Sequence, residues 1–137
     1  MGAGAAIEFL AALVPAGYRR DQLDVVYKEL HRRSAKLTER LWEGLSEIEG
    51  VTLYGPPPSL PRTPTISFTV SGVKSTDVAK QLAHRGLFLS HGDFYAATVV
   101  ERLNLGPEGL VRAGCACYTT AEEIDRLILG VAQIAAV

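Results

Sequence analysis

A chain of 137 residues, 47% hydrophobic and 21% charged, has the size and make-up of one globular domain with a real core. Fourteen Lys and Arg against fifteen Asp and Glu leave a net charge of -1, which gives no electrostatic footing for nucleic acid or an anionic membrane. Its two cysteines, Cys115 and Cys117, match neither a zinc spacing nor a Cys-x-x-Cys redox motif. They read as buried free thiols on the core side of a strand, which suits a reducing cytosol. The apolar start, Met1 to Val14, lacks a basic flank and carries Glu8, so no secretory signal is expected. No stretch reaches the roughly 18 apolar residues of a membrane span, and the expected location is cytoplasmic.

Gly4 to Leu13 reads as a short helix with Ile7, Leu10, Ala11 and Val14 on one face, stopped by Pro15 and Gly17. From Arg19 to Ile48 a single apolar stripe runs through Leu23, Val26, Tyr27, Leu30, Leu37, Leu41, Leu45 and Ile48. That predicts one long helix of roughly 45 Å at 1.5 Å per residue. Val51 to Tyr54 is a short strand, and Gly55 to Pro61 a rigid connector too rich in proline for a helix or a sheet interior. Thr65 to Ser71 alternates, with Ile66, Phe68 and Val70 on one side and Thr65, Ser67 and Thr69 on the other, as a half-buried strand does.

Ser75 or Thr76 is placed to cap a helix that runs to His84 and closes at Gly86, with Val78, Ala79 and Leu82 facing inward. Leu87 to Ser90 reads as a third strand, His91 to Tyr95 as a loop, Ala96 to Leu103 as a short helix and Asn104 to Gly109 as a turn. Leu110 to Tyr118 reads as a fourth strand. Thr119-x-x-Glu122 and Thr120-x-x-Glu123 both match a capping box, and Ile124, Leu127, Ile128, Val131 and Ile134 stripe the final helix. The sum is an α+β fold: a small, three- to four-stranded, largely antiparallel sheet with helices on one face, preceded by a long N-terminal helix. Residues 1–137 form one domain, in which 1–17 is an orphan helix, 18–50 a connecting helix and 51–137 a small α/β unit.

Arg112 is the leading functional candidate. It shares a strand face with Gly114 and Ala116, which leave room above it, and a guanidinium offers the bidentate fork that a carboxylate needs. His91 and Asp93 flank Gly92 in a loop, where functional residues collect, and Tyr95 adds a hydroxyl. Arg62, at a strand entry, reads as a solvated or interface arginine. His31 and His84 lie on helices with no partner at ligand spacing. No Ser-His-Asp order, zinc pattern or phosphate loop is present, so no catalytic, metal or cofactor residue is assigned.

In order along the chain, four segments carry a family resemblance. The long helix leads into Val51-Thr52-Leu53-Tyr54-Gly55-Pro56. Arg62-Thr63-Pro64-Thr65-Ile66-Ser67-Phe68 opens a strand, and Gly86-Leu87-Phe88-Leu89-Ser90-His91-Gly92 leads into a loop. Val111-Arg112-Ala113-Gly114 precedes Tyr118-Thr119-Thr120-x-Glu122-Glu123-Ile124-Asp125. Together they resemble the C-terminal small domain of class V aminotransferases, the pyridoxal-phosphate group that includes cysteine desulfurases. The resemblance implies that Arg112 anchors the substrate carboxylate and that His91, Asp93 and Tyr95 belong to an active-site loop.

It also implies what is missing. The family's Schiff-base lysine, pyridine aspartate and stacking histidine lie in a preceding large domain, so pyridoxal phosphate belongs to the parent family and not to this chain. A desulfurase carries its cysteine a few residues after the loop glycine, where this chain has Tyr95. The resemblance therefore implies a domain that contributes a carboxylate arginine and a loop, and that handles an amino-acid substrate only within a complete enzyme. The expected partners are that large domain or a second copy bound through the N-terminal helices. The alternatives are a stand-alone interaction module and one chain of a split enzyme.

Overall fold

The computed structural model describes residues 2–15 and 17–136. Its centre is the alternating segment read above. Strand β2 (Thr65–Val70) buries Ile66, Phe68 and Val70 and leaves Thr65, Ser67 and Thr69 half-covered. Around it lies a four-stranded antiparallel sheet in the order β1, β2, β4, β3, with β1 at Val51–Tyr54, β3 at Ser90–Gly92 and β4 at Leu110–Gly114. Phe68 stands opposite Leu53 on one side and Val111 on the other. Ser67 and Ser90 both stand opposite Arg112.

Three helices cover the apolar face. They are α2 (Arg19–Ser46), α3 (Ser75–Ala83) and α5 (Ala121–Ala135). Leu41 and Leu45 from α2, Val78 and Leu82 from α3 and Ile124, Leu127, Val131 and Ile134 from α5 join Ile66, Phe68, Val111 and Ala113 in one core. Each large apolar side chain fully withdrawn there contributes about 1.5–3 kcal/mol. The α+β architecture, the antiparallel sheet and the long N-terminal helix are as expected.

The N-terminal half of α2 is different. Among its apolar residues Val26 is buried, Leu23 and Leu30 are half-buried, and Val25 and Tyr27 are exposed. Helix α1 (Gly2–Ala12) packs against this half and buries Ala11, while Ile7, Phe9 and Leu13 stay exposed. The remaining elements are a short helix α4 (Ala97–Arg102) and a single 3-10 turn (Gly106–Glu108).

Four local expectations are corrected. The third strand begins at Ser90, not Leu87. The Leu87 N–H instead closes the end of α3 by donating to the Leu82 carbonyl at 3.0 Å, with Gly86 at a φ of 74°, a six-to-one closure that delays the strand. The fourth strand stops at Gly114, not Tyr118. Cys115 N–H still donates to the Pro64 carbonyl at 2.8 Å, but Pro64 has no N–H to return and the ladder ends. A turn closed by Ala116 N–H on Thr119 Oγ1 follows. Cys115 is consequently half-buried and Cys117 exposed, so they do not share a core face.

Neither Ser75 nor Thr76 caps α3, whose N-cap position is Lys74. The Ser75 hydroxyl donates to the Glu108 carbonyl, and the Thr76 hydroxyl to Glu108 Oε2 at 3.3 Å, so both are drawn to the 3-10 turn. Of the two candidate capping boxes, Thr120 with Glu123 is the one formed.

Candidate functional site

Register decides which side chains share the open face of the sheet. Val111 and Ala113 turn into the core, so Arg112 between them projects outward and is exposed. Around it stand Thr65, Ser67 and Thr69 from β2 and Tyr54 from β1, whose hydroxyl lies 3.3 Å from Thr69 Oγ1. At Gly114 an added Cβ would meet Thr65 Oγ1 at 3.6 Å, ordinary contact, so the surface beside Arg112 is low and open.

Among the described residues no carboxylate pairs with Arg112 and no hydrogen bond engages its side chain. Its close neighbour is the Phe94 ring, whose centroid lies 4.1 Å from the guanidinium carbon. That distance is a favourable cation–π contact. A guanidinium stacked on one face keeps its in-plane N–H groups free, and those groups match the two oxygens of a carboxylate.

The loop that carries Phe94 is held in a costly conformation. Phe94 and Tyr95 have φ values of 54° and 61°, a left-handed backbone that costs a non-glycine residue roughly 1–2 kcal/mol. Asp93 offsets part of this cost. Its Oδ1 accepts from Tyr95 N–H at 3.0 Å and its carbonyl from Ala96 N–H at 2.9 Å. Asp93 therefore acts as the clamp of the turn. Tyr95 is fully exposed. Nothing in its sequence neighbourhood singled out Phe94.

His91 does not join this group. It stands opposite Val111, the core-facing neighbour of Arg112, so the alternation puts it on the helix side of the sheet edge. There its Nδ1 lies 3.3 Å from the Thr76 hydroxyl of α3. Of the four residues read as a substrate site, Arg112 faces the open side, Asp93 and Tyr95 shape the adjoining turn, and His91 lies on the opposite face.

Arg62 provides the contrast. It donates to the carbonyls of Pro56, of Thr63 at 3.4 Å and of Thr65 at 2.5 Å, and it lies 5.0 Å from the Trp42 ring. Burial lowers its pKa from the ordinary value. It pins the proline connector to β2 and α2. A cavity of about 290 Å³ beside it is lined by His31, Ser34, Thr38 and the connector. The hydroxyls of Ser34 and Thr38 are already spent on the His31 and Ser34 carbonyls. Cys115 is held above the ordinary thiol range by burial, with a smaller opposing effect from the Thr38 side chain, so it is poorly suited to act as a thiolate.

The four lysines are exposed and lie on the helix layer, Lys28 and Lys36 in α2, Lys74 at the start of α3 and Lys80 within it. Lys74 pairs with Glu108 at 3.4 Å. Among the described residues no cluster of three His, Cys, Asp or Glu is spaced to hold a metal ion, and no helix is long and apolar enough to cross a membrane.

Comparison with known proteins places this arrangement in a family context. The family model described as Aminotransferase class-V matches residues 21–127. A cysteine desulfurase of Pectobacterium carotovorum is 31% identical over 134 residues, an alignment that covers 98% of this chain and 29% of that protein. An aminotransferase-like protein of Gibberella zeae is 30% identical over 139 residues, covering 96% of this chain and 34% of its own length. Among solved structures, the apo cysteine desulfurase from Thermococcus onnurineus superposes with a TM-score of 0.76 at 29% identity, over 86% of this chain and 29% of that one. The chain thus spans about a third or less of the length of these relatives.

Proposed function

The chain belongs to the class V aminotransferase family, and from that premise we propose that it is the substrate-carboxylate arm of a pyridoxal-phosphate enzyme of that family, with Arg112 as the anchor. The observation that carries this reading is the state of Arg112. It projects from the open sheet face, is stacked on Phe94 and has no acidic partner among the described residues. A structural arginine is tied up as Arg62 is. An arginine with five free N–H donors on an open face is set to accept a carboxylate.

Pyridoxal phosphate supplies an electron sink to enzymes of this class. The residues of this chain do not fit that group. A Schiff-base lysine works best desolvated, and all four lysines here are exposed on the layer opposite Arg112. The lysine and the phosphate cradle are expected from another part of a complete enzyme, in the same chain or a separate one. The turn after Gly92 runs Asp93-Phe94-Tyr95-Ala96-Ala97, without the thiol that desulfuration requires. The reaction we propose for the complete enzyme is accordingly one on an amino acid that does not take up sulfur. It belongs to the cytoplasm.

A second reading, an interaction module, draws on the exposed apolar residues Phe9, Leu13, Val25 and Tyr27 of α1 and α2. A second copy bound there leaves the Arg112 face free.

The test is a side-chain NMR titration of the labelled chain with L-alanine and with L-alaninamide. The acid should move the Arg112 Nε–H signal in a saturable way, and the amide should not. Equal movement by both ligands, or none by either, would remove the carboxylate assignment.

A further inference from the structure

Arg112 reaches out from a strand on a long, flexible stem, and such a side chain normally samples many rotamers in solvent. Ordering it on ligand binding would then cost free energy that the ligand must supply. Here the guanidinium carbon lies over the Phe94 ring, 4.1 Å from its centroid, and Phe94 itself is half-buried. The ring is delivered by a backbone that would not adopt this shape unaided. Phe94 and Tyr95 are both left-handed, and the Asp93 carboxylate bonded to Tyr95 N–H at 3.0 Å secures the turn. The short helix α4 follows at once, with Val99 and Val100 N–H groups bonded to the Ala96 carbonyl at 2.9 and 3.1 Å. The turn therefore has fixed ends, β3 before it and α4 after it.

We propose that Phe94 is a positioning residue for Arg112: it holds the guanidinium plane with its N–H edge free, so that a carboxylate meets a pre-oriented fork. The idea rests on the carboxylate reading of Arg112 and deepens it. The strained turn has a purpose in this account, since a relaxed loop would not bring the ring over the arginine. Asp93 then contributes through the turn, and Tyr95, pointing to solvent, is free of this task.

The experiment compares the full chain with Phe94→Ala, Phe94→Leu and Phe94→Trp, each first checked for an unchanged melting temperature and backbone spectrum. Two quantities are read: the 15N order parameter of Arg112 Nε, and the affinity for L-alanine. A cation–π contact at an exposed site corresponds to an affinity change of about two- to five-fold. Phe94→Ala should lower the order parameter and weaken L-alanine by that factor, Phe94→Leu should do the same, and Phe94→Trp should restore both. An unchanged order parameter in Phe94→Ala overturns the proposal. So does Phe94→Leu behaving like Phe94→Trp, which would mean that bulk and not the ring face matters. Normal L-alanine binding in the unsubstituted chain with unchanged affinity in Phe94→Ala overturns the positioning role alone. No binding in the unsubstituted chain overturns the carboxylate reading, and the proposal with it.

Discussion

Arg40 and Asp125 form a two-pronged ion pair that ties α2 to α5, Nε to Oδ1 at 2.6 Å and Nη2 to Oδ2 at 2.8 Å. The hydrogen bond from Arg40, reinforced by its charge, holds the Asp125 carboxyl below its ordinary 3.8, and the pair holds the Arg40 guanidinium above its own ordinary value. A carboxyl depressed in the folded state stabilises the fold above its unfolded pKa, and that contribution is lost as pH falls through the folded value. The window therefore opens near pH 3.8 and extends downward. Both side chains are solvent-exposed, so the effect is small and salt-sensitive. Asp125→Asn should melt slightly below the unsubstituted chain at neutral pH in low salt, and the gap should narrow as pH falls below the ordinary 3.8. A gap that persists at pH 2 would show that the pair is not its source.

Gly109 sits where β3 meets β4. A Cβ there would lie 2.1 Å from the Gly92 carbonyl oxygen and 2.3 Å from its carbon, and the residue has a φ of 63°. Backbone, not a movable side chain, blocks the substitution. Gly109→Ala should cost about 2–4 kcal/mol, read as a fall in melting temperature on the order of 10 °C. Gly114→Ala, with its nearest contact at 3.6 Å, serves as the control and should melt within a degree or two. Similar behaviour of the two variants would count against the tight β3–β4 approach.

Much of this architecture was written in period. The Ile66, Phe68, Val70 alternation and the Leu37, Leu41, Leu45 spacing each bury one face, and burial on one face leaves a regular mark in sequence. What escaped was set by hydrogen bonds between distant segments. Leu87 looked like strand because its role in closing α3 depends on the Leu82 carbonyl. Cys115 and Cys117 looked like strand because the end of the ladder depends on Pro64, far back in the chain. The site was legible only in part for the same reason. Arg112 stood out as a lone cation followed on its strand face by the small residues Gly114 and Ala116. The side of the sheet that His91 takes depends on register, where a shift of one residue reverses every side chain. Phe94 was invisible because its place over Arg112 depends on a left-handed turn that local propensity does not favour.

Exposed apolar residues on α1 and the first half of α2 lead to an expectation about association. Phe9 is 66% exposed, Leu13 57%, Tyr27 57% and Val25 46%, and Leu13 and Val25 line one open groove, apolar surface of the kind used for contact. We expect the chain alone to form a homodimer through these helices at tens of micromolar. Sedimentation of Phe9→Asp and Val25→Asp should show a shift to monomer. A monomeric unsubstituted chain would leave the interaction-module reading without its main support.

Incubated with pyridoxal phosphate, the chain alone should show no aldimine band, and borohydride should trap only scattered, substoichiometric adducts among its exposed lysines. A stoichiometric adduct on one lysine would mean that the chain carries a cofactor site of its own.

The most direct test of Arg112 as a carboxylate anchor is a crystal structure of the chain grown in a high concentration of L-alanine. The carboxylate is expected in the plane of the Arg112 guanidinium, with both oxygens about 2.7–3.0 Å from its nitrogens and the Phe94 ring still against it. Arg112 turned away to pair with one of the chain's own acids, with L-alanine absent from the open sheet face, would contradict it.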